Sequence, residues 1–330
     1  MSEGPRGGPP PAGRLRLSTS LLVLALTTGC GAQPLGAGIS EAAIVLPATW
    51  TPTPFQPLGT TPTRPEPTAT LPPTATPTLA PEAWREFPVV PAVSERAIEI
   101  YRRGLALGND PRAFSVVGDC EGTPSRFLGV FDYSTRWYRL GEHDDLAATI
   151  AQFAGSFGRV SYAAHSSFTT SAVLSPAWAN ASLCRSGESP LLCELRAHRP
   201  SVALVMVGTM DYRRPDLFEG NMRRILDTLI EHGVVPILYT KASNLEGDWS
   251  INATTARLAY EYDIPLWNFW RAVQPLPGRG LRPDGMHVTQ GPNFFDNPVA
   301  MQNGWPWRNL TALQALDAVL RAVSGPNPQA

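Results

Sequence analysis

The 330-residue sequence has no run of Lys and Arg, and its formal net charge is only -1. Nucleic acid and anionic membrane surfaces are recognised through a basic footprint, so the charge pattern speaks against both; a small neutral substrate or a polysaccharide suits it better. No glycine-rich phosphate loop and no clustered metal-ligand motif occurs, so no cofactor and no metal is implied. The apolar run Leu17 to Leu26 is too short for a transmembrane helix, which needs about 20 residues. Cysteine is scarce, with four in all, and each has to be accounted for. Proline is plentiful, but its 34 residues are unevenly spread, so part of the chain cannot be globular, while a hydrophobic content of 43% suffices for one full core.

Arg6, Arg14 and Arg16 precede the apolar run, which closes in Leu26-Thr27-Thr28-Gly29-Cys30. That order of basic, apolar and small residues reads as an export signal. Its ending resembles a bacterial lipobox, which implies that Cys30 is acylated and holds the mature protein on the outer face of a bacterial membrane. An ordinary signal peptide cut near Gly29 is the simpler alternative. Residues 1–30 are therefore assigned to a lipoprotein-type signal and 31–82 to a tether. Between Pro47 and Glu82 there are 11 Pro and 11 Thr in 36 residues, a composition that stays extended and builds no core. The globular domain is expected over 83–325, with 326–330 as a tail. Cys184 and Cys193 share a turn-rich loop, where an oxidising compartment favours a local disulfide. Cys120 is then unpaired, either buried and inert or reactive.

Helical and strand patterns alternate through the domain, which predicts an α/β fold: a three-layer α/β/α sandwich on a parallel, flavodoxin-like sheet. Ser94 is placed to cap a helix carrying Ala97, Ile98, Tyr101 and Leu105. Strands are expected at Phe114 to Gly118, Arg159 to Ala163, Val202 to Val207, Val234 to Thr240 and Pro265 to Phe269. Between them fall a helix with Leu146, Ile150 and Phe153 capped by Asp144 or Asp145, and a long one with Leu217, Ile225, Leu226, Leu229 and Ile230 inward and Gly233 at its end. Helices over Ile251 to Tyr262 and Leu310 to Val323 complete the pattern.

Ligands of open α/β sheets bind beyond the carboxyl ends of the strands. The apolar run Phe114 to Val117 ends in Gly118-Asp119-Cys120 and delivers a thiol there. Gly208-Thr209-Met210-Asp211 follows the third strand, and Asp284-Gly285-Met286-His287 supplies a carboxylate and an imidazole at suitable spacing. The order and spacing of these blocks resembles the SGNH (GDSL-type) hydrolases, a family of esterases, lipases and carbohydrate deacetylases with this sandwich fold. The resemblance covers the globular region. It implies Cys120 as nucleophile where the family has Ser, His287 as base and Asp284 as the carboxylate that orients it. It also implies an oxyanion hole from the backbone N–H of Cys120, the N–H of Ser167 at the family's glycine position, and Met210 at the family's Asn position. Met210 departs from the pattern, because a thioether donates no hydrogen bond.

An exported, lipid-anchored hydrolase of an ester, such as an O-acyl group on a polysaccharide, is one reading. The alternative is a catalytically inactive module that binds surface carbohydrate or serves as a scaffold. Asp119, Asp211, Asn244, Phe294 and Phe295 are the candidate substrate contacts. Trp305 and Trp307 are read either as rim aromatics or as packing against the last helix, and Ser125 is a weaker substitute nucleophile. His143, His165, His198 and His232 are explained by helix ends or the surface; the triplets at Asn180, Asn252 and Asn309 carry little weight.

Overall fold

The computed structural model describes residues 79–325; the signal, Cys30, the tether as far as residue 78 and the tail 326–330 lie outside the described residues. The strands are β1 (Asp110–Gly118), β2 (Tyr138–Arg139), β3 (Pro200–Met206), β4 (Val235–Tyr239), β5 (Leu266–Trp267) and β6 (Asn293–Phe294). The helices are α1 (Glu95–Ala106), α2 (Val130–Tyr133), α3 (Ala147–Gln152), α4 (Thr170–Leu174), α5 (Pro190–His198), α6 (Pro215–Glu231), α7 (Ser250–Tyr262), α8 (Phe269–Val273) and α9 (Gly304–Ser324).

Parallel strands covered on both faces read as continuous apolar runs, and every residue of β3 and β4 is buried. They lie in one parallel sheet ordered β1-β3-β4-β5. One set of helices, α1, α3, α8 and α9, is linked by mutual contacts, as is a second set, α4 to α7, and members of each lie on the sheet. The expected three-layer sandwich is therefore present.

The strand expected at Arg159 to Ala163 is corrected to a single parallel bridge between Gly118 and Ala164. Side chains do there what a ladder would do. The Arg159 guanidinium donates to the Phe114 carbonyl at 2.8 Å and the Ser161 hydroxyl to that of Val116 at 2.7 Å. Buried Glu194 of α5 fixes the segment by accepting from Arg159 and from the Tyr162 N–H, both at 2.7 Å. With this segment beside β1, the lateral order is that of flavodoxin-like sheets, whose crevice opens at the carboxyl ends of the first and third strands.

Ser94 caps α1 as expected, its Oγ accepting from the Ala97 N–H at 3.2 Å. Asp144 and Asp145 cap nothing: Gly141–Leu146 is a 3-10 turn, Leu146 holds the cap position of α3, and Asp145 pairs with Arg321 at 2.8 Å. Leu105 and Leu217, expected inward, are about 40% exposed. On α6 the buried stripe runs Phe218, Met222, Ile225, Leu226, Leu229, and Leu217 falls one position off it. Gly233, at φ +69°, follows α6 and meets Gly104 of α1 so closely that a Cβ on Gly104 would lie 2.0 Å from the Gly233 carbonyl oxygen. Phe269 opens α8 instead of closing β5, and α9 begins at Gly304, earlier than expected, with Pro306 in its first turn, where a missing N–H is tolerated.

The Cys184–Cys193 disulfide is formed, with the two Cα atoms 5.2 Å apart, and Cys120 is the free cysteine among the described residues. One unexpected feature bears on the site: β2 pairs with β6, Arg139 opposite Phe294. It ties the chain after α2 to the loop that follows His287.

Candidate active site

At the carboxyl end of β1, Asp119 turns the chain into one 3-10 turn, Cys120–Gly122. Its Oδ1 accepts the Glu121 N–H at 2.9 Å, while the Thr123 hydroxyl donates to the Cys120 carbonyl at 2.9 Å. The turn holds Cys120 half-buried at the crevice. The loop between α8 and α9 brings the second half. Asp284 Oδ1 accepts the N–H groups of Met286 and His287, each at 2.9 Å, and Oδ2 lies 2.9 Å from His287 Nδ1. The two backbone N–H groups, then the imidazole, hold the Asp284 carboxyl well below the usual carboxylate range. With Nδ1 engaged, Nε2 is the ring nitrogen left for chemistry.

The halves meet. The Cys120 sulfur, a carboxylate oxygen of Glu121 and a ring nitrogen of His287 all lie within 4.8 Å of one another. No Cys120–His287 hydrogen bond is made, but catalytic hydrogen bonds are commonly loose before substrate binds. Burial pushes the Cys120 thiol up, and the charge of Asp119 adds to it. Beneath the turn lie buried charges that the sequence reading missed. Asp119 is fully buried, with Oδ2 unpartnered among the described residues, and burial pushes its carboxyl up to about 7. Arg308 of α9 is ion-paired with Glu121 Oε2 and donates to the Arg126 carbonyl at 2.8 Å; burial pushes it down to about 10. An Arg with Thr311, Ala312 and Ala315 on its own face of a helix that is buried nearly all round was the available signal.

Neither the Cys120 nor the Ser167 N–H has a protein partner among the described residues. Ser167 follows the Gly118–Ala164 bridge and adopts φ +72°, the left-handed conformation that glycine takes freely. A serine thus holds a backbone geometry that favours glycine. Met210 sits half-buried in the 3-10 turn after β3.

Of the expected substrate contacts, Asp119, Asp211 and Phe295 are corrected because they are buried, while Asn244 stays half-exposed. Asp119 is inaccessible. Asp211 is buried and accepts from the Thr170 N–H at 3.0 Å and hydroxyl at 2.6 Å, so it pins α4 to the end of β3. Asn244 Oδ1 accepts the Trp249 N–H at 3.0 Å and shapes its own loop. Phe295 is in the core, against Phe131. Phe294 is also half-buried, with the Arg139 guanidinium 4.2 Å from its ring centre, and it lines a largely apolar cavity of about 520 Å³. Phe127, Leu128, Trp137 and Trp305 line the same cavity, Trp305 packing on the core as well. The chain just after Cys120 forms one wall and the chain after His287 another. Ser125 lies at this wall too.

No family model matches the chain, and no curated protein matches it. Among solved structures it is similar to a GDSL-like lipase from Bacteroides thetaiotaomicron, at 16% identity over 68% of this chain and 98% of that one, with a TM-score of 0.38. It is similar to TesA at 18% identity, over 63% and 99% of the two chains, with a TM-score of 0.38. A mutant of the esterase AlinE4 matches at 20% identity, over 66% and 98%, with a TM-score of 0.31. Likeness at this level decides nothing about the chemistry, which rests on the residues.

Proposed function

We propose that the domain is a thiol-dependent ester hydrolase. The observation that carries the reading is the approach of Cys120 Sγ to within 4.8 Å of a ring nitrogen of His287, whose Nδ1 is held by Asp284 at 2.9 Å. In this reading His287 Nε2 takes the thiol proton as sulfur attacks the ester carbonyl carbon. The carbonyl π pair moves to oxygen and is met by the N–H groups of Cys120 and Ser167. Collapse expels the alcohol, which receives the proton from His287, and leaves a thioester on Cys120. Water, deprotonated by His287, then releases the carboxylic acid and restores the thiol. Asp284 holds the imidazole in the tautomer with Nε2 free and stabilises the imidazolium.

Neither Cys120 nor His287 lines the apolar cavity, but the chain that follows each does, and in this reading the cavity takes the acyl or aryl part of the ester. The Cys184–Cys193 bridge supports an oxidising, extracytoplasmic compartment, in line with an export signal and lipid anchor at Cys30. Met210 favours a second reading, an inactive module that binds surface carbohydrate or serves as a scaffold, because the third oxyanion donor is missing.

Hydrolysis of a p-nitrophenyl ester series by the full chain separates the two. Wild type is expected to turn over, Cys120→Ala and His287→Ala to fall to background, and Cys120→Ser to show how far the thiol is preferred. Equal background rates for wild type and Cys120→Ala overturn the hydrolase reading and leave the binding one, to be tested on a glycan array.

A further inference from the structure

The proposed reaction employs Cys120, His287 and Asp284 and leaves Glu121 without a role. Yet a Glu121 carboxylate oxygen is as close to the sulfur and the imidazole as they are to each other, all within 4.8 Å. One thiolate, one imidazole and one carboxylate form a borderline-soft donor set suited to zinc-class ions. Donor atoms on a tetrahedral zinc, with bonds of about 2.0–2.3 Å, stand roughly 3.3–3.8 Å apart, so closure by about an ångström completes the shell. The surroundings fit as well. Asp284 holds His287 Nδ1 at 2.9 Å, the carboxylate–histidine pairing that orients a metal-bound imidazole and leaves Nε2 to bind. Arg308 occupies Glu121 Oε2, while Oε1 has no protein partner among the described residues, so the carboxylate is held in place with one oxygen to offer. Thiolate and carboxylate together balance a dication. The His287 side chain is 28% exposed, so solvent reaches the cluster.

We propose that Cys120, Glu121 and His287 form a binding site for a zinc-class divalent ion, with three protein ligands and one position open to water. Binding replaces the thiol proton, which passes to solvent, with a sulfur–metal bond. The ion then occupies the lone pairs that attack the ester and accept its proton, so zinc blocks hydrolysis. The inhibition rests on the thiol-hydrolase reading; the site itself does not.

Cobalt(II), added to the full chain after chelator treatment, is the probe. One cobalt per chain is expected, with a thiolate-to-cobalt charge-transfer band in the near ultraviolet and tetrahedral bands in the visible, all displaced by zinc. Cys120→Ser should abolish the charge-transfer band, which also controls for Cys30. Asp284→Asn should weaken the metal about 10–100-fold while sulfur ligation persists. Glu121→Gln should weaken it too, but disturbs the buried Arg308 pair; the two conservative variants, checked for native circular dichroism, therefore decide. A missing band, or one that survives Cys120→Ser, overturns the site. Cobalt bound through sulfur in a protein that hydrolyses no ester leaves the site standing and removes the hydrolase. Cys120-dependent hydrolysis without a cobalt band does the reverse.

Discussion

Two aspartates flank the Cys120–His287 pair and are held in opposite ways. Asp284 lies in an exposed loop, and its hydrogen bonds reach only Met286 and His287, so a four-residue segment builds its own geometry. Asp119 is sealed under the strand end, pushed up to about 7 by burial, beside a Glu121–Arg308 pair that joins residues 187 apart. In the proposed reading the loop half carries chemistry and little of the fold. The strand half carries both, because the turn that presents the thiol stands on buried charges whose partners come from α9.

The sharpest way to break this contrast is Asp284→Asn. The amide turns a donor toward Nδ1 and stabilises the wrong tautomer, so kcat/KM should fall by about 10³–10⁴. Urea unfolding should move by no more than about 1 kcal/mol, since the side chain is exposed and its contacts are local. A variant that unfolds early, or one with unchanged kcat/KM, contradicts the division of labour. Arg308→Met is the opposite case. It strips a buried carboxylate of its cation, and removing one partner of a buried pair costs about 3–5 kcal/mol. Adding Glu121→Gln should restore part of that stability, because the uncompensated charge is then gone. If Arg308→Met is as stable as wild type, the pair is not holding the turn.

The same contrast explains what could be read from the sequence. Asp284 and His287 were visible because their geometry is local: spacing alone brings the carboxylate to Nδ1. Cys120 was visible because β1 ends in a short, mostly apolar stretch, Phe114 to Val117, and sheet topology dictates what lies beyond its end. Arg308 was invisible as a partner, since nothing within the last helix says which carboxylate it meets. The second strand was misread for a related reason. Arg159 and Ser161 lie in a segment with strand composition, yet their side chains bond to the Phe114 and Val116 carbonyls that a backbone ladder would have used. Phe294 and Phe295 show the limit of reading a rim from aromatic content. They are neighbours with opposite directions in the structure, and the pairing of β2 with β6, a long-range contact, decides which one faces the cavity.

The smallest effect tests whether the strand half is a working site or a remnant. Met210 stands where the resemblance drawn from the sequence expects an amide donor, and the loss of one oxyanion donor costs about 10²–10³ in turnover. Met210→Asn returns a donor to the turn after β3. In the proposed mechanism the N–H groups of Cys120 and Ser167, without protein partners among the described residues, are the two existing donors, and the new amide would be the third. A gain of about 10–100-fold in kcat on p-nitrophenyl esters, with KM little changed, is expected, because the donor acts on the oxyanion and not on the bound ester. The gain should vanish in the Met210→Asn, Cys120→Ala double variant. A gain that persists there would mean that the new amide works through some nucleophile other than Cys120. No gain at all would mean that Met210 does not face the oxyanion, and that the missing donor is not what limits the site.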